Sequence, residues 1–192
     1  TLPARGTLDA RKKHSFAEVS TRRTLPGTYR FEGLGVALCP GDVTDPASLL
    51  AAMPKQVDAV FHVAASTNVW SPGNELQTRI NVEGTRNVVH AARAQGAGRL
   101  LHTSSFIVWG FQDEVVTEQS QRLENADWIN YVRTKWQAEK VIDDAVAAGL
   151  DAVILNPAHI LGPGDRRNWS RMIRMVRSSW IESKSKTRFA CG

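Results

Sequence analysis

The chain has 192 residues and a formal net charge of +5, a length that suits one domain with a real core. No apolar run approaches the roughly twenty residues that cross a bilayer, and no signal-peptide pattern opens the chain, so a cytoplasmic setting with no membrane contact is expected. Cys39 and Cys191 lack metal-ligand spacing and the five histidines form no metal pattern, which points to reduced thiols and no metal site.

The charge is uneven along the chain. Residues 1–30 carry seven Lys/Arg and two acids, residues 31–164 nine and fifteen, and residues 165–192 eight and two. An acidic body thus lies between basic ends. These ends lack regularly interleaved aromatics and match no nucleic-acid module, so they read as solvated segments rather than a nucleic-acid surface. The organisation expected is a basic N-terminal segment (1–32), an α/β core (33–176) and a basic polar tail (177–192).

In chain order, 17–21 reads as a short strand and 25–28 as a turn. Residues 36–39 form an apolar run read as a buried strand. After the loop 40–45, Asp45-Pro46 supplies an N-cap and first helical residue for a helix to about Met53. Residues 58–65 are nearly continuous apolar text, the pattern of a strand buried on both faces of a parallel sheet. A polar loop (66–74) leads to a long helix at 75–95, interrupted by Gly84. Residues 99–103 are a strand ending in Ser104-Ser105, and 110–127 is loop-like. A helix follows at 131–148, closed by Gly149. Residues 151–156 are a strand stopped by Pro157, then come a turn at 161–165 and a helix at 169–176. Strand and helix alternate throughout, which predicts a doubly wound parallel sheet of Rossmann type with helices on both faces. His62 and His102 fall inside apolar runs and read as satisfied core histidines rather than ligands.

In such sheets ligands bind beyond the C-terminal strand ends. Four polar features fall there: Gly41-Asp42-Val43, Ala64-Ala65-Ser66, Ser104-Ser105 and Asn156-Pro157. Each alone is an ordinary loop. Downstream, Tyr131 and Lys135 stand one helical turn apart on one face. A free phenol titrates near pH ~10, and a neighbouring cation lowers it toward the range a general acid/base needs.

Taken together, these blocks resemble the extended short-chain dehydrogenase/reductase superfamily, of the NAD(P)-dependent epimerase/dehydratase type, with a dihydroflavonol-reductase-like or 3β-hydroxysteroid-dehydrogenase-like flavour. The resemblance rests on Gly41 to Asp45, Asp58 to Ala65, Asn81 to Thr85, Thr103-Ser104-Ser105, Tyr131-x-x-x-Lys135, and Asn156-Pro157 with Gly162-Pro163. It implies an NAD or NADP cofactor and a small-molecule carbonyl or alcohol substrate. Tyr131 would be the general acid/base, Lys135 would bind the nicotinamide ribose and lower the phenol, and Ser105 would bind the substrate oxygen. Asp42 and Val43 would contact adenine. Ala64, Ala65, Ser66, Asn81, Ser104 and Pro157 would line or support the cofactor site. The helices at 75–95 and 130–148 are where a homodimer would form.

Residues 1–40 contain no Gly-x-x-Gly-x-x-Gly turn of the kind that cradles a pyrophosphate at a helix N-terminus. The tail is also short for the family's substrate lobe, so the chain reads as lacking both. Phe106 and Ile107 follow Ser105 where water-eliminating relatives carry an acidic pair, which favours a reductase or dehydrogenase over that chemistry. Arg22 and Arg23 would favour NADP if they follow the second strand. The competing expectations are a nucleotide-sugar epimerase of the same family, a truncated non-catalytic remnant kept for binding or regulation, and nucleic-acid binding through the basic ends.

Overall fold

The computed structural model describes residues 16–20, 36–67, 74–160 and 173–176. The elements are β1 (Phe16–Ser20), β2 (Val36–Pro40), α1 (Pro46–Ala52), β3 (Val60–His62), α2 (Asn74–Thr78), a π-helical turn (Arg79–Glu83), α3 (Gly84–Ala94), β4 (Leu100–Thr103), α4 (Asn130–Ala147) and β5 (Ala152–Leu155), with short 3-10 turns at Phe106–Trp109 and Glu124–Ala126. All strand pairs are parallel, and they form two sheets, β1-β2 and β3-β4-β5. Residues Ala158–Gly192 form a separate compact unit, in which 173–176 are helical. The turns at 25–28 and 161–165, most of the 169–176 helix, and Arg22, Arg23, Gly162 and Pro163 lie outside the described residues.

Local chemistry sets several element ends. The Asp45 carboxylate accepts from the backbone N–H groups of Ala47 (3.0 Å) and Ser48 (3.3 Å), and Pro46 opens α1. The pair satisfies donors that would otherwise lack partners at the helix start. At the far end of α4, Gly149 takes φ +90°, the left-handed conformation that closes a helix. Gly84 does not end its helix. It sits under Val43, where a Cβ would lie 3.0 Å from Val43 Cγ2, so the glycine lets α3 approach the turn after β2.

The core gathers Leu49 and Met53 near α1, Val88, Val89, Ala91 and Ala92 from α3, Leu100 from β4, and Ile142 and Ala145 from α4. The register Val60–Leu100–Ala152 and His62–His102–Ile154 puts alternate residues of the three-stranded sheet on one face. Leu100, His62 and His102 on that face are buried, and α3 and α4 supply the cover seen among the described residues.

The other face is different. The sequence text of 58–65 predicts a strand buried on both sides, yet Phe61 is 64% exposed and Val63 63%. Only Val60–His62 pairs in the ladder, and no described strand lies on its second edge. Val153 and Leu155 are also exposed. Apolar composition marks what a strand can bury, while burial itself depends on what packs against each side.

Candidate active site

Parallel strands end on the same edge, so β3, β4 and β5 deliver Ala64-Ala65-Ser66, Ser104-Ser105 and Asn156-Pro157 to one rim. Helix α4 supplies the rest. Its 18 residues bury Val132, Ala138, Ile142 and Ala145 on the core side. Tyr131, Lys135 and Glu139 follow at intervals of one turn along an adjoining stripe.

Lys135 is buried, and its ammonium donates to the Thr103 carbonyl at 2.7 Å. Burial lowers its pKa to about 8, with Glu139 working in the opposite direction. Tyr131 is half-buried. Burial raises its phenol above the ordinary value, and an interaction with the Ser105 hydroxyl pulls it part of the way back. The expected depression of the phenol by Lys135 is therefore not what the geometry gives. The lysine is turned onto the end of β4, and desolvation is the larger influence on the tyrosine.

Glu139 was not among the residues singled out from the sequence. It is buried, and its Oε1 accepts from Asn156 Nδ2 at 2.6 Å. The same amide nitrogen donates to the Ser105 carbonyl at 3.3 Å. Burial pushes the Glu139 carboxyl up, and the Ser104 hydroxyl and Asn156 amide pull it partly back. The Ser104 hydroxyl is close enough to exert that pull but makes no fully formed hydrogen bond. The signal that could have found Glu139 is its position two turns from Tyr131 on the stripe that carries Lys135.

Asn81 lies on the π-helical turn and clamps the loop after β3. Its Oδ1 accepts from the Ser66 backbone N–H at 2.7 Å, and its Nδ2 donates to the Ser66 carbonyl at 3.0 Å and to Thr134 Oγ1 at 3.0 Å. Thr134 in turn donates to the Tyr131 carbonyl. One buried amide thus links the β3 rim to the first turn of α4. Asn130 extends the same seam, donating to Gln77 Oε1 at 2.8 Å.

The remaining predicted positions separate. Ala64 is exposed, Ala65 half-buried, and the Pro157 carbonyl accepts from Phe106 N–H at 3.2 Å. Asp42 is exposed, and its carboxylate is held low by the Thr44 backbone N–H and hydroxyl. Val43 is buried under Gly84, and its carbonyl accepts from Asn87 Nδ2 at 2.8 Å. Its side chain belongs to the hydrophobic core. The strand texture gave no sign of this, because the covering atom belongs to a helix 41 positions later.

Both histidines are buried, as the apolar runs predict, but of the two only His62 is satisfied, and the expectation is corrected for His102. His62 Nε2 and Thr85 Oγ1 are 2.9 Å apart, and the two imidazole centroids lie 5.1 Å apart with the rings tilted by 40°. Among the described residues, neither ring nitrogen of His102 has a hydrogen-bond partner. Burial brings His62 to about 4 and His102 to about 3, the neighbouring Lys135 acting in the same direction on both.

Residues 7–189 match the family model described as the NAD dependent epimerase/dehydratase family. The chain belongs to that family. Among its relatives, sterol demethylase protein B of Methylococcus capsulatus is 32% identical over 137 residues, covering 71% of this chain and 42% of that protein. The 2-alkyl-3-oxoalkanoate reductase of Stenotrophomonas maltophilia is 34% identical over 154 residues, covering 75% and 44%. The chain thus spans less than half the length of these epimerase/dehydratase-family relatives. A dTDP-glucose 4,6-dehydratase of Streptomyces venezuelae, solved with NAD bound, superposes with a TM-score of 0.74 over 88% of this chain and 53% of that one, at 22% identity. At that identity the likeness speaks for the Rossmann-type fold alone. No helix among the described residues is long and apolar enough to cross a membrane.

Proposed function

We propose that this chain carries the catalytic face of an NAD(P)-dependent oxidoreductase that moves hydride to or from a carbonyl or alcohol carbon of a small molecule. The observation that supports it is the placement of Ser105 and of half-buried Tyr131, one turn from a Lys135 anchored on the Thr103 carbonyl, at the rim where three parallel strands end. The residues fit the nicotinamide half of such a cofactor. Ala64 and Ala65 leave the backbone open beside the rim. The Lys135 ammonium has three donors and spends one on Thr103, so a ribose hydroxyl can be added without breaking that contact.

When bound, the nicotinamide supplies or accepts the hydride. In the reducing direction the Ser105 hydroxyl donates to the carbonyl oxygen and orients it. Tyr131 Oη gives its proton to that oxygen as negative charge develops there. A phenol raised by burial keeps its proton until the acceptor has become basic, which suits it to act as the acid. In the oxidising direction each step reverses.

A ketone, 3-oxo acid or hydroxysteroid-like compound is the substrate class this reading favours. Phe106 and Ile107 stand where water-eliminating relatives carry acids, and the Stenotrophomonas relative is by name a reductase of a 3-oxo compound. The test is titration of the chain with NADH and with NADPH, following nicotinamide fluorescence. Binding at micromolar concentration of either supports the reading, and no binding at millimolar concentration refutes it.

A further inference from the structure

The bonds from α4 to the strand ends do not stop at the tyrosine and lysine. Glu139 is 7% exposed, on the stripe that carries Tyr131 and Lys135. A buried carboxylate is costly unless it is hydrogen-bonded and faces a counter-charge. The first condition is met within hydrogen-bond distance, and the second by a buried cation one turn away on the same helix face rather than by a direct ion pair. The Asn156 amide donates to Glu139 at 2.6 Å and reaches the Ser105 carbonyl at 3.3 Å. Lys135, one turn earlier on the same stripe, is buried with its ammonium on Thr103 O.

We propose that Glu139 is a positioning residue for the Ser105–Tyr131–Lys135 group, acting through Asn156 on the Ser105 backbone and serving as the counter-charge of buried Lys135. Two of the three strand ends are thereby tied to one helix stripe: β5 through Asn156, and β4 through Thr103 and Ser105. What is positioned rests on the functional reading above; the pairing itself rests only on the contacts.

The groups facing Lys135 are His62 from β3, His102 from β4 and Glu139 on its own helix. Both histidines are neutral at pH 7, so among the described residues Glu139 is the acid that raises Lys135 against the pull of burial. Glu139 itself faces Ser104 from β4, Asn156 from the end of β5, and Lys140 and Asp143 on α4.

The test is a pH titration of the intact chain carrying 13C-labelled lysine side chains, with the Lys135 signal assigned by its loss in K135R. In E139Q, which keeps the side-chain shape and the oxygen that accepts from Asn156, the Lys135 midpoint should fall by about one pH unit or more. E139D, which keeps the charge, should leave the midpoint much nearer that of the unsubstituted chain. In the unsubstituted chain the Lys135 signal should also inflect on the acid side, where Glu139 takes up its proton, and that measurement decides the matter if E139Q does not fold. An unchanged midpoint in E139Q, an equal fall in E139D, or no acid-side inflection each overturns the proposal. A falling midpoint in a chain that binds neither NADH nor NADPH would uphold the pairing and remove the oxidoreductase reading instead.

Discussion

The two neighbouring buried histidines make the molecule acid-labile, and one substitution should remove the share that belongs to His102. His102 is 1% exposed and neither of its ring nitrogens has a hydrogen-bond partner among the described residues. Its folded pKa is about 3 against an ordinary 6.5, burial being the main cause, followed by His62 and Lys135. For a base whose folded value is depressed, the unfolded chain takes up a proton below pH 6.5 that the folded chain refuses. Stability is therefore complete above that pH and declines as pH falls, levelling only near the folded value. The slope is about 1.4 kcal/mol per pH unit per group, so His102 alone costs on the order of 2 kcal/mol at pH 5. Replacing it with leucine, of similar volume, removes the titration and the unpaired nitrogens together. H102L should be at least as stable as the unsubstituted chain at pH 7.5 and should lose about 2 kcal/mol less on going to pH 5. Glu139 runs in the opposite sense, since a raised carboxyl loses stability as pH rises, but it is present in both proteins and cancels. The assay is urea unfolding followed by far-ultraviolet circular dichroism at the two pH values. Equal losses in the two proteins would refute the reasoning.

Other outcomes follow from the same contacts. Y131F should lower kcat at least about a hundredfold while leaving NADH or NADPH affinity within a few-fold, because proton transfer is lost and packing is kept; steady-state kinetics beside a fluorescence titration would show it, and undiminished kcat would remove Tyr131 from the chemistry. N81A should cost about 1–3 kcal/mol, because it removes the partner of the Ser66 N–H and leaves the Ser66 carbonyl with Gln77; thermal unfolding measures it, and an unchanged midpoint would mean that the clamp is idle. G110A should be far more damaging than G149A. Both glycines have positive φ, but an added Cβ at Gly110 meets the Leu123 carbonyl, whereas at Gly149 nothing lies within 4 Å. The second should cost about 1–2 kcal/mol of backbone strain and the first clearly more; equal urea midpoints would contradict this.

Much of the molecule was legible in the text of the chain because its causes are local. Asp45-Pro46 announced α1, Gly149 closed α4, and alternating apolar runs gave the order of strands and helices from residue 36 onward. The spacing of Tyr131 and Lys135 placed them on one helical face before any contact was known. The polar residues after β3, β4 and β5 marked a shared rim, because parallel strands of one sheet all end on the same side.

Tertiary packing decided what these residues do to one another. Sequence spacing put an ammonium beside a phenol, but folding turned Lys135 onto the Thr103 carbonyl and left burial to set the Tyr131 pKa. Val43 reads as a rim residue and became core because Gly84, far along the chain, opened room for it. Phe61 and Val63 read as buried and are exposed because nothing described covers them. Glu139 had the text of an ordinary surface acid and became a buried partner of Asn156. Periodicity fixes which residues share a face, since that depends only on backbone geometry, whereas the environment a face meets is set by atoms brought from elsewhere in the chain, and desolvation and long-range hydrogen bonds arise only there.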